Sequence, residues 1–364
     1  MNTTSTAGVG SEEAAAVVEA EPRVERAVRQ VPKEGQNGLY TQSWYPICLA
    51  TEVEAGQVID REFLGGRVIV FRGESGQASV LSPYCAHMGM DLGKGEVVGD
   101  NVRCIYHHYE YDQAGKCVKT GWNIPPPENA CVFNFPTEER YGMVWAFNGT
   151  KPLFDLPEFA IPDGELAVEA WITDPPVACS TTEIFCQVPD WGHLKFMHAG
   201  TMQTTEDSQN ATPQFEFNDY NFGYSVESMT FAGEQREKEG GQEFPAVTIY
   251  VYGTSIIRIE TFVNGIWAGV IGTAVMRAPG KTQIMGAVAV KKGDGSLESE
   301  AAVREQIDFH KRQVEVTGEE DMVIYENIRF APGALTPIDS IVSQYLDYVT
   351  AFPRANPAAN FIYE

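Results

Sequence analysis

The sequence predicts an α+β protein in two parts, a small antiparallel β unit followed by a larger unit in which an antiparallel sheet packs against helices. Three observations carry this. Apolar runs of strand length, punctuated by Gly, Pro and Asp turns, recur from Leu39 onward. Two segments near the C-terminus have helical period instead. And 364 residues, at a prior of about 150 per domain, is the length of two domains with room for a sizeable core.

The elements follow in chain order. Residues 1–37 are rich in Ala, Glu and Arg with few large apolar side chains, and read as a mobile N-terminal arm with helical tendency before Pro32. Residues 38–152 form the first unit, with strands expected at Ser43–Ala50, Arg67–Arg72, Ala78–Leu81, Val102–Tyr111 and Met143–Phe147. A proline-bearing stretch, Lys151–Pro162, reads as a linker. Residues 153–364 form the second unit. Its expected strands are Phe215–Phe217, Tyr224–Thr230, Ala246–Tyr252, Ile256–Val263, Ile266–Arg277 and Gln283–Lys291. Thr336-Pro337-Ile338-Asp339 has the pattern of a capping box with proline at the first helical position. The helix it opens should dock on the sheet through Ile338, Ile341, Val342, Tyr345 and Val349.

Composition narrows the partners. With 26 Lys+Arg against 50 Asp+Glu the net charge is −24, which argues against nucleic acid or an anionic membrane surface as partner. The acidity is uneven. Residues 153–174 hold six acids and no base, 201–245 nine acids and two bases, and 294–326 ten acids and three bases. Residues 81–120, with five acids and four bases, are nearly neutral. The longest apolar runs are strand-length and far short of a membrane span of about 20 residues. Seven cysteines, an odd number beside an N-terminus with no basic patch or apolar core, read as reduced thiols or metal ligands in a cytoplasmic protein.

The six histidines carry more information, because five of them fall in two short motifs. Cys85-Ala86-His87 is followed, sixteen residues on, by Cys104-Ile105-Tyr106-His107. A [2Fe–2S] cluster held by two thiolates on one iron and two imidazoles on the other needs two loops, each offering one Cys and one His. These spacings provide that. Cys₂His₂ zinc sites instead pair Cys with Cys and His with His along the chain. Gly89, Gly93, Gly95 and Gly115 nearby would let backbone N–H groups approach the sulfurs.

These residues resemble the Rieske motif, and the absence of an extra cysteine at Met90 and Tyr106 makes the resemblance one to the Rieske domains of oxygenases and their ferredoxins rather than to the disulfide-bearing respiratory type. The second loop departs from the family's usual Cys-Pro-Tyr/Phe-His-Gly/Asp-Trp, reading Cys104-Ile105-Tyr106-His107-His108-Tyr109. His107 matches the family gap, and His108 is its competitor.

The second motif is Asp190-Trp191-Gly192-His193-Leu194-Lys195-Phe196-Met197-His198. Two imidazoles and one carboxylate form the facial triad of non-heme Fe(II) oxygenases. Residues five apart lie about 140° apart on an ideal α-helix, so a widened turn or a helix end must bring His193 and His198 together. His310 stands apart in a charged helical stretch and is expected at the surface.

The arrangement resembles the Asp-x-x-His-x₄-His motif of Rieske non-heme iron oxygenases, over roughly residues 39 to 350. By that resemblance Asp190 hydrogen-bonds His193 and reaches His107 of a neighbouring subunit, Gln187 stands where the family often has Asn, and Asp321 of the Glu319-Glu320-Asp321 run is the third iron ligand. Glu319, Glu320 and Asp308 are its competitors. The implied fold is a small antiparallel β Rieske [2Fe–2S] domain followed by a helix-grip catalytic domain, assembled as a head-to-tail homotrimer. The implied cofactors are the Rieske cluster and a mononuclear Fe(II). The implied partners are a ferredoxin or flavin-dependent reductase as electron donor, O₂ and a small hydrophobic substrate.

Tyr84-Cys85-Ala86-His87-Met88-Gly89, Asp91-Leu92, Gly115-Lys116-Cys117 and the Glu320-Asp321 helix followed by a Pro-rich tail resemble the 3-ketosteroid 9α-hydroxylase oxygenases, which implies steroid-like hydroxylation by a monooxygenase. Aromatic ring dihydroxylation and O- or N-demethylation are the alternatives within the family. A Rieske electron carrier with a partner-binding domain, and a zinc-stabilised binding module, are the rivals outside it.

Overall fold

The computed structural model describes residues 27–203, 214–226, 229–231, 242–244, 247–263 and 266–363. Most of the arm expected over residues 1–37, and parts of the strands expected at Tyr224–Thr230 and Ala246–Tyr252, lie outside the described residues. The described end of the arm is tied down. Arg29 donates its backbone N–H to the Pro332 carbonyl at 2.7 Å, and Glu34 is buried against Arg354 at 3.1 Å.

The N-terminal unit consists of small antiparallel sheets. Trp44–Leu49 pairs with Met143–Phe147, which also pairs with Thr137–Arg140. A second sheet joins Val58–Phe63, Gly66–Arg72, Ala78–Leu81 and Asn134–Phe135. Val58–Phe63 escapes sequence reading because Asp60, Arg61 and Glu62 interrupt its apolar pattern, as suits an edge strand. The strand expected over Val102–Tyr111 is instead two, Asn101–Arg103 and Glu110–Tyr111. Between them the chain turns back: the Cys104 N–H bonds the Tyr109 carbonyl at 2.9 Å, and His108 N–H bonds the Cys104 carbonyl at 3.0 Å.

The C-terminal unit is built on a seven-stranded antiparallel sheet in the order Leu166–Ile172, Lys281–Lys291, Ile266–Ala278, Ile256–Val263, Val247–Tyr252, Asn221–Val226, Glu216–Phe217. Side chains alternate across the two long strands. Trp267, Ile271, Met285, Ala287 and Ala289 pack with Trp44, Trp145 and Phe147 of the N-terminal unit, and also with Leu156 and Phe159 of the stretch expected to be a linker. Ala268, Ala274, Ile284, Val288 and Val290 face the opposite way, toward the helices. Gly286 has no side chain because the Trp171 ring occupies that space; a Cβ there would lie 2.4 Å from it.

Four helices matter for the site: α1 (Thr181–Phe185), α2 (Trp191–Phe196), α3 (Leu297–Asn327) and α4 (Ser340–Ala351). The Asp339 carboxylate accepts from the Thr336 N–H at 2.7 Å, fixing the start of the last of these as expected. Helix α4 docks through Val342, Tyr345, Leu346 and Val349 on Phe185, Phe222, Val251 and Ala274. Ile338, expected on that face, is exposed because it lies in the 3₁₀ turn before the helix; Leu346 takes the place in the contact. Tyr345 is fully buried and donates its hydroxyl to the Thr182 carbonyl at 2.9 Å, linking α4 to α1. Tyr345→Ala should therefore cost about 3–5 kcal/mol, read as a lowered midpoint in denaturant unfolding.

His310 corrects the expectation of a surface residue. It is buried on the inner side of α3, its ring 5.0 Å from that of Phe309, and burial depresses its pKa to about 4. A depressed folded-state pKa means the group binds its proton more readily when unfolded. The stability it contributes is present above its unfolded pKa near 6.5 and is lost as pH falls toward 4, by up to about 3 kcal/mol. His310→Leu should flatten the stability profile over that window in urea titrations at successive pH values.

The two units share a core. Val275 and Met276 of the large sheet pack with Tyr45, Phe63 and Val68, and the C-terminal Ala358 and Ile362 join the same cluster. Buried Arg277 donates to the Ile47 carbonyl at 2.9 Å and the Glu62 carbonyl at 3.1 Å. Tyr40–Thr41 pairs with Arg354–Ala355, so both ends of the described chain meet. Among the described residues no helix is long and apolar enough to cross a membrane.

Candidate functional site

Two groups of ligand-type side chains come together, one in each unit. In the N-terminal unit the loops carrying Cys85 and His87, and Cys104 and His107, meet. The imidazoles of His87 and His107 lie 4.7 Å apart between ring centres. Cys85 and Cys104 are buried beside one another in a cluster with Leu92, Tyr109, Tyr111 and Cys117. The Tyr111 hydroxyl is 3.1 Å from the Cys85 Sγ and accepts the Ala86 N–H at 2.9 Å. Backbone N–H groups of Tyr106 and His107 reach the Cys104 thiol, the expected approach of amides to sulfur.

His108 does not join this group. It is exposed and holds φ at 53°, in the left-handed region, at the position where the resembled motif has Gly or Asp. That conformation turns the chain back after His107, so the two adjacent histidines diverge. Tyr109 stacks on His87 with ring centres 4.6 Å apart, and Trp122 stacks on His107 at 5.4 Å. The residues present fit a cluster: His107 Nδ1 is buried with no hydrogen-bond partner, as a metal-directed nitrogen would be. Sequence reasoning missed Tyr111 and Trp122, which no spacing rule marks.

In the C-terminal unit His193, His198 and Asp321 converge, each offering one ligand atom within 4.8 Å of the others. Helix α2 ends at Phe196, so His198 lies in the turn beyond it, and the helix end rather than a widened turn brings the two imidazoles to 4.6 Å. Asp190 caps that helix, accepting the His193 backbone N–H at 3.1 Å. Asp321 arrives from α3, whose adjacent turns pack on Val177, Cys179 and Ile284 through Met322 and Tyr325.

Asp321 Oδ1 lies 3.1 Å from His193 Nε2 and 3.3 Å from His198 Nε2, yet is buried without a hydrogen bond. Ligands about 2.1 Å from one ion at right angles stand about 3 Å apart, so this geometry fits three donors aimed at a common cation. Burial pushes the Asp321 carboxyl up, but the His193 and His198 imidazoles outweigh it and hold it below the usual carboxylate range. Burial disfavours charge on His198, and Asp321 and Glu320 outweigh that too, raising its pKa.

The competitors of Asp321 are placed elsewhere. Glu320 lies on the other side of the His198 ring, 2.6 Å from Nδ1. Glu319 is exposed, and Asp308 pairs with Arg304. Tyr325 donates to Gln187 Oε1 at 3.0 Å and approaches Asp321 Oδ2 at 3.4 Å, so this tyrosine links Gln187 to the site. A cavity of about 660 Å³ opens beside Asp321, between the sheet and α3. Trp171, Ile257, Ile284, Met285 and Met322 supply apolar walls, and its size is that of a small-molecule site.

Residues 43–136 match the family model of the Rieske [2Fe-2S] domain. The chain is 31% identical over 183 residues to the 3-chlorobenzoate-3,4-dioxygenase oxygenase subunit of Comamonas testosteroni, covering 46% of this chain and 40% of that protein. It is 28% identical over 177 residues to a 3-ketosteroid-9-alpha-monooxygenase oxygenase component of Rhodococcus rhodochrous, covering 47% and 45%. These matches span less than half the length of either relative. Among solved structures, dicamba monooxygenase bound to dicamba superposes with a TM-score of 0.63 at 17% identity, over 85% of this chain and 96% of that one. Pseudomonas putida CBB5 NdmA gives 0.61 at 19% identity, over 85% and 89%. The cofactors so implied are a Rieske [2Fe–2S] cluster and a mononuclear iron. The chain thus contains a Rieske [2Fe–2S] domain, is a homologue of Rieske oxygenase components, and shares the α+β fold of that family.

Proposed function

We propose that the chain is a terminal oxygenase component that hydroxylates a bulky, uncharged hydrophobic substrate, steroid-like in kind, as a monooxygenase. In this reading residues 38–152 are the cluster domain, with Cys85, His87, Cys104 and His107 as ligands. Residues 153–364 are the iron domain, with His193, His198 and Asp321 as ligands. The observation that carries it is the convergence of His193, His198 and Asp321, the last of which also lines a cavity about 660 Å³ in volume. When bound, the cluster supplies single electrons and the iron activates O₂ for insertion into a C–H bond.

The chain's own residues supply position and exclude water. Trp171, Ile257, Ile284 and Met285 would hold the substrate's apolar body beside Asp321. Charge around the cavity favours a neutral substrate over a carboxylate or sulfonate. Lys311 lines it but is bound to Glu169 at 2.9 Å, while Asp174, Glu315 and Glu319 stand along its wall. An anionic group would meet these acids with no unpaired lysine among the described lining residues.

Electron delivery rests on the cluster loops. Met88, Ile105, Tyr106 and Trp122 are exposed there on a nearly neutral stretch, suited to docking a ferredoxin or a flavin-dependent reductase. Asp190, one residue before α2, would couple His193 to His107 of a neighbouring subunit in a head-to-tail homotrimer. The unbridged cysteines fit a reducing, cytoplasmic compartment.

Purified protein supplied with a surrogate reductase and O₂, and offered steroid and arene panels, tests the substrate class. Hydroxylated steroid is the expected product. Turnover confined to arenes, as dihydroxylation or demethylation, would overturn it. Light scattering should give a trimer; a fully active monomer would rule out the route through Asp190.

A further inference from the structure

Glu320 was a competitor for the metal itself, yet its carboxylate faces away from the converging donors. One oxygen lies 2.6 Å from His198 Nδ1. The other accepts the Thr201 hydroxyl at 2.5 Å. Thr201 in turn closes the turn after His198, donating its N–H to the His198 carbonyl at 3.1 Å. The His198 ring is therefore gripped from behind by a carboxylate that is itself held at both oxygens, while its Nε2 faces Asp321 at 3.3 Å.

We propose that Glu320 is the positioning residue of the iron site, which keeps the His198 proton on Nδ1 and so leaves the Nε2 lone pair directed at the metal. The physical reason is the two-sided nature of imidazole. A neutral ring carries one proton, and a carboxylate at one nitrogen decides which nitrogen keeps it. The same bond fixes the ring's rotation, so less freedom is lost when metal binds, and the negative partner strengthens the imidazole as a donor. Because α3 carries both residues in succession, the turn that delivers Asp321 to the front of the site delivers Glu320 to its back. The adjacency in sequence is thus a geometric coupling: one helix places the ligand and braces its neighbour.

This inference rests on the three-ligand reading of the site, and the experiment separates the two. The mononuclear metal is removed by a mild chelator, with the visible band of the Rieske cluster retained as an internal measure of folding. Co(II) binding is then measured by calorimetry. His193→Ala should abolish binding; if it does not, the three-ligand reading itself fails. Glu320→Ala should weaken binding about 10–100-fold, the usual loss when such a partner is removed. Glu320→Gln, which still accepts from Nδ1–H and still reaches Thr201, should recover most of that loss. Thr201→Val should weaken binding less than Glu320→Ala and in the same direction.

Wild-type affinity in Glu320→Ala, with His193→Ala unable to bind, would overturn the proposal alone. So would a Glu320→Gln variant no better than Glu320→Ala, because the amide still sets the tautomer and the ring's rotation and loses only the charge. Should Glu320→Ala lose its cluster band through misfolding, Thr201→Val decides: unchanged affinity there overturns the proposal.

Discussion

His193→Ala is expected to lower the iron content from about three to about two atoms per chain, with the cluster's visible and electron paramagnetic signals unchanged and oxygenase turnover at background. The argument is one of separation and of donor count. His193 supplies one of three donor atoms, and with it gone His198 and Asp321 are left as an incomplete pair. The cluster loops belong to a different packed group, in which Cys85 and Cys104 lie with Tyr109, Tyr111 and Cys117, and none of its members belongs to α2. The rival reading, an electron carrier whose second domain only binds a partner, predicts the same iron count in wild type and variant. Iron and sulfide analysis of the two proteins is therefore decisive.

Cys104→Ser should have the opposite pattern: a colourless protein that keeps about one iron per chain and loses turnover entirely. The sulfur is buried at the centre of the two-loop assembly, and the loops around it are short. Asn101–Arg103 and Glu110–Tyr111 contribute only five residues of strand between them, so the cluster is a large part of what holds this corner. The variant should also melt earlier than His193→Ala, as metal-ligand bonds count toward folding where a site is built from loops. The C-terminal unit should keep its iron, because Asp321, His193 and His198 are mounted on α2 and α3 against the seven-stranded sheet. A Cys104→Ser protein that kept its colour would exclude Cys104 as a ligand.

Much of the fold was legible in particular residues. Ala78–Leu81 and Met143–Phe147 lie where their apolar runs predict them, because a strand buried on both sides writes itself as continuous hydrophobicity, and Ile256–Val263 lies where its apolar residues recur around Arg258 and Glu260. The Thr336–Asp339 cap marks the start of α4 by an equally local signal. What failed was local pattern overridden by neighbours. Val58–Phe63 is an edge strand whose charges hide it, and Leu166–Ile172, also an edge strand, was missed although Glu169 is its one charge. His310 is buried although its own segment is charged, since α3 turns it, together with Ile307, toward the interior.

The two metal-type constellations divide in the same way. Residue chemistry and spacing along the chain were enough to single out Cys85, His87, Cys104, His107, His193 and His198, because each motif is short and ligands that share a loop must be near one another. The Asp321 carboxylate lies more than a hundred residues from either imidazole, among acids that read alike in sequence. Its selection over Glu319 and Glu320 depends on which way each side chain leaves α3 once that helix packs on the sheet. The choice of His107 over His108 likewise turns on a single backbone conformation, with φ at 53°. Sequence by itself determined which chemistry the chain can carry and which loops carry it; the packed structure alone decided which of several equivalent acids faces the two imidazoles, which lies behind the His198 ring, and what shape of cavity lies beside them, because those are properties of distances between segments that are remote along the chain.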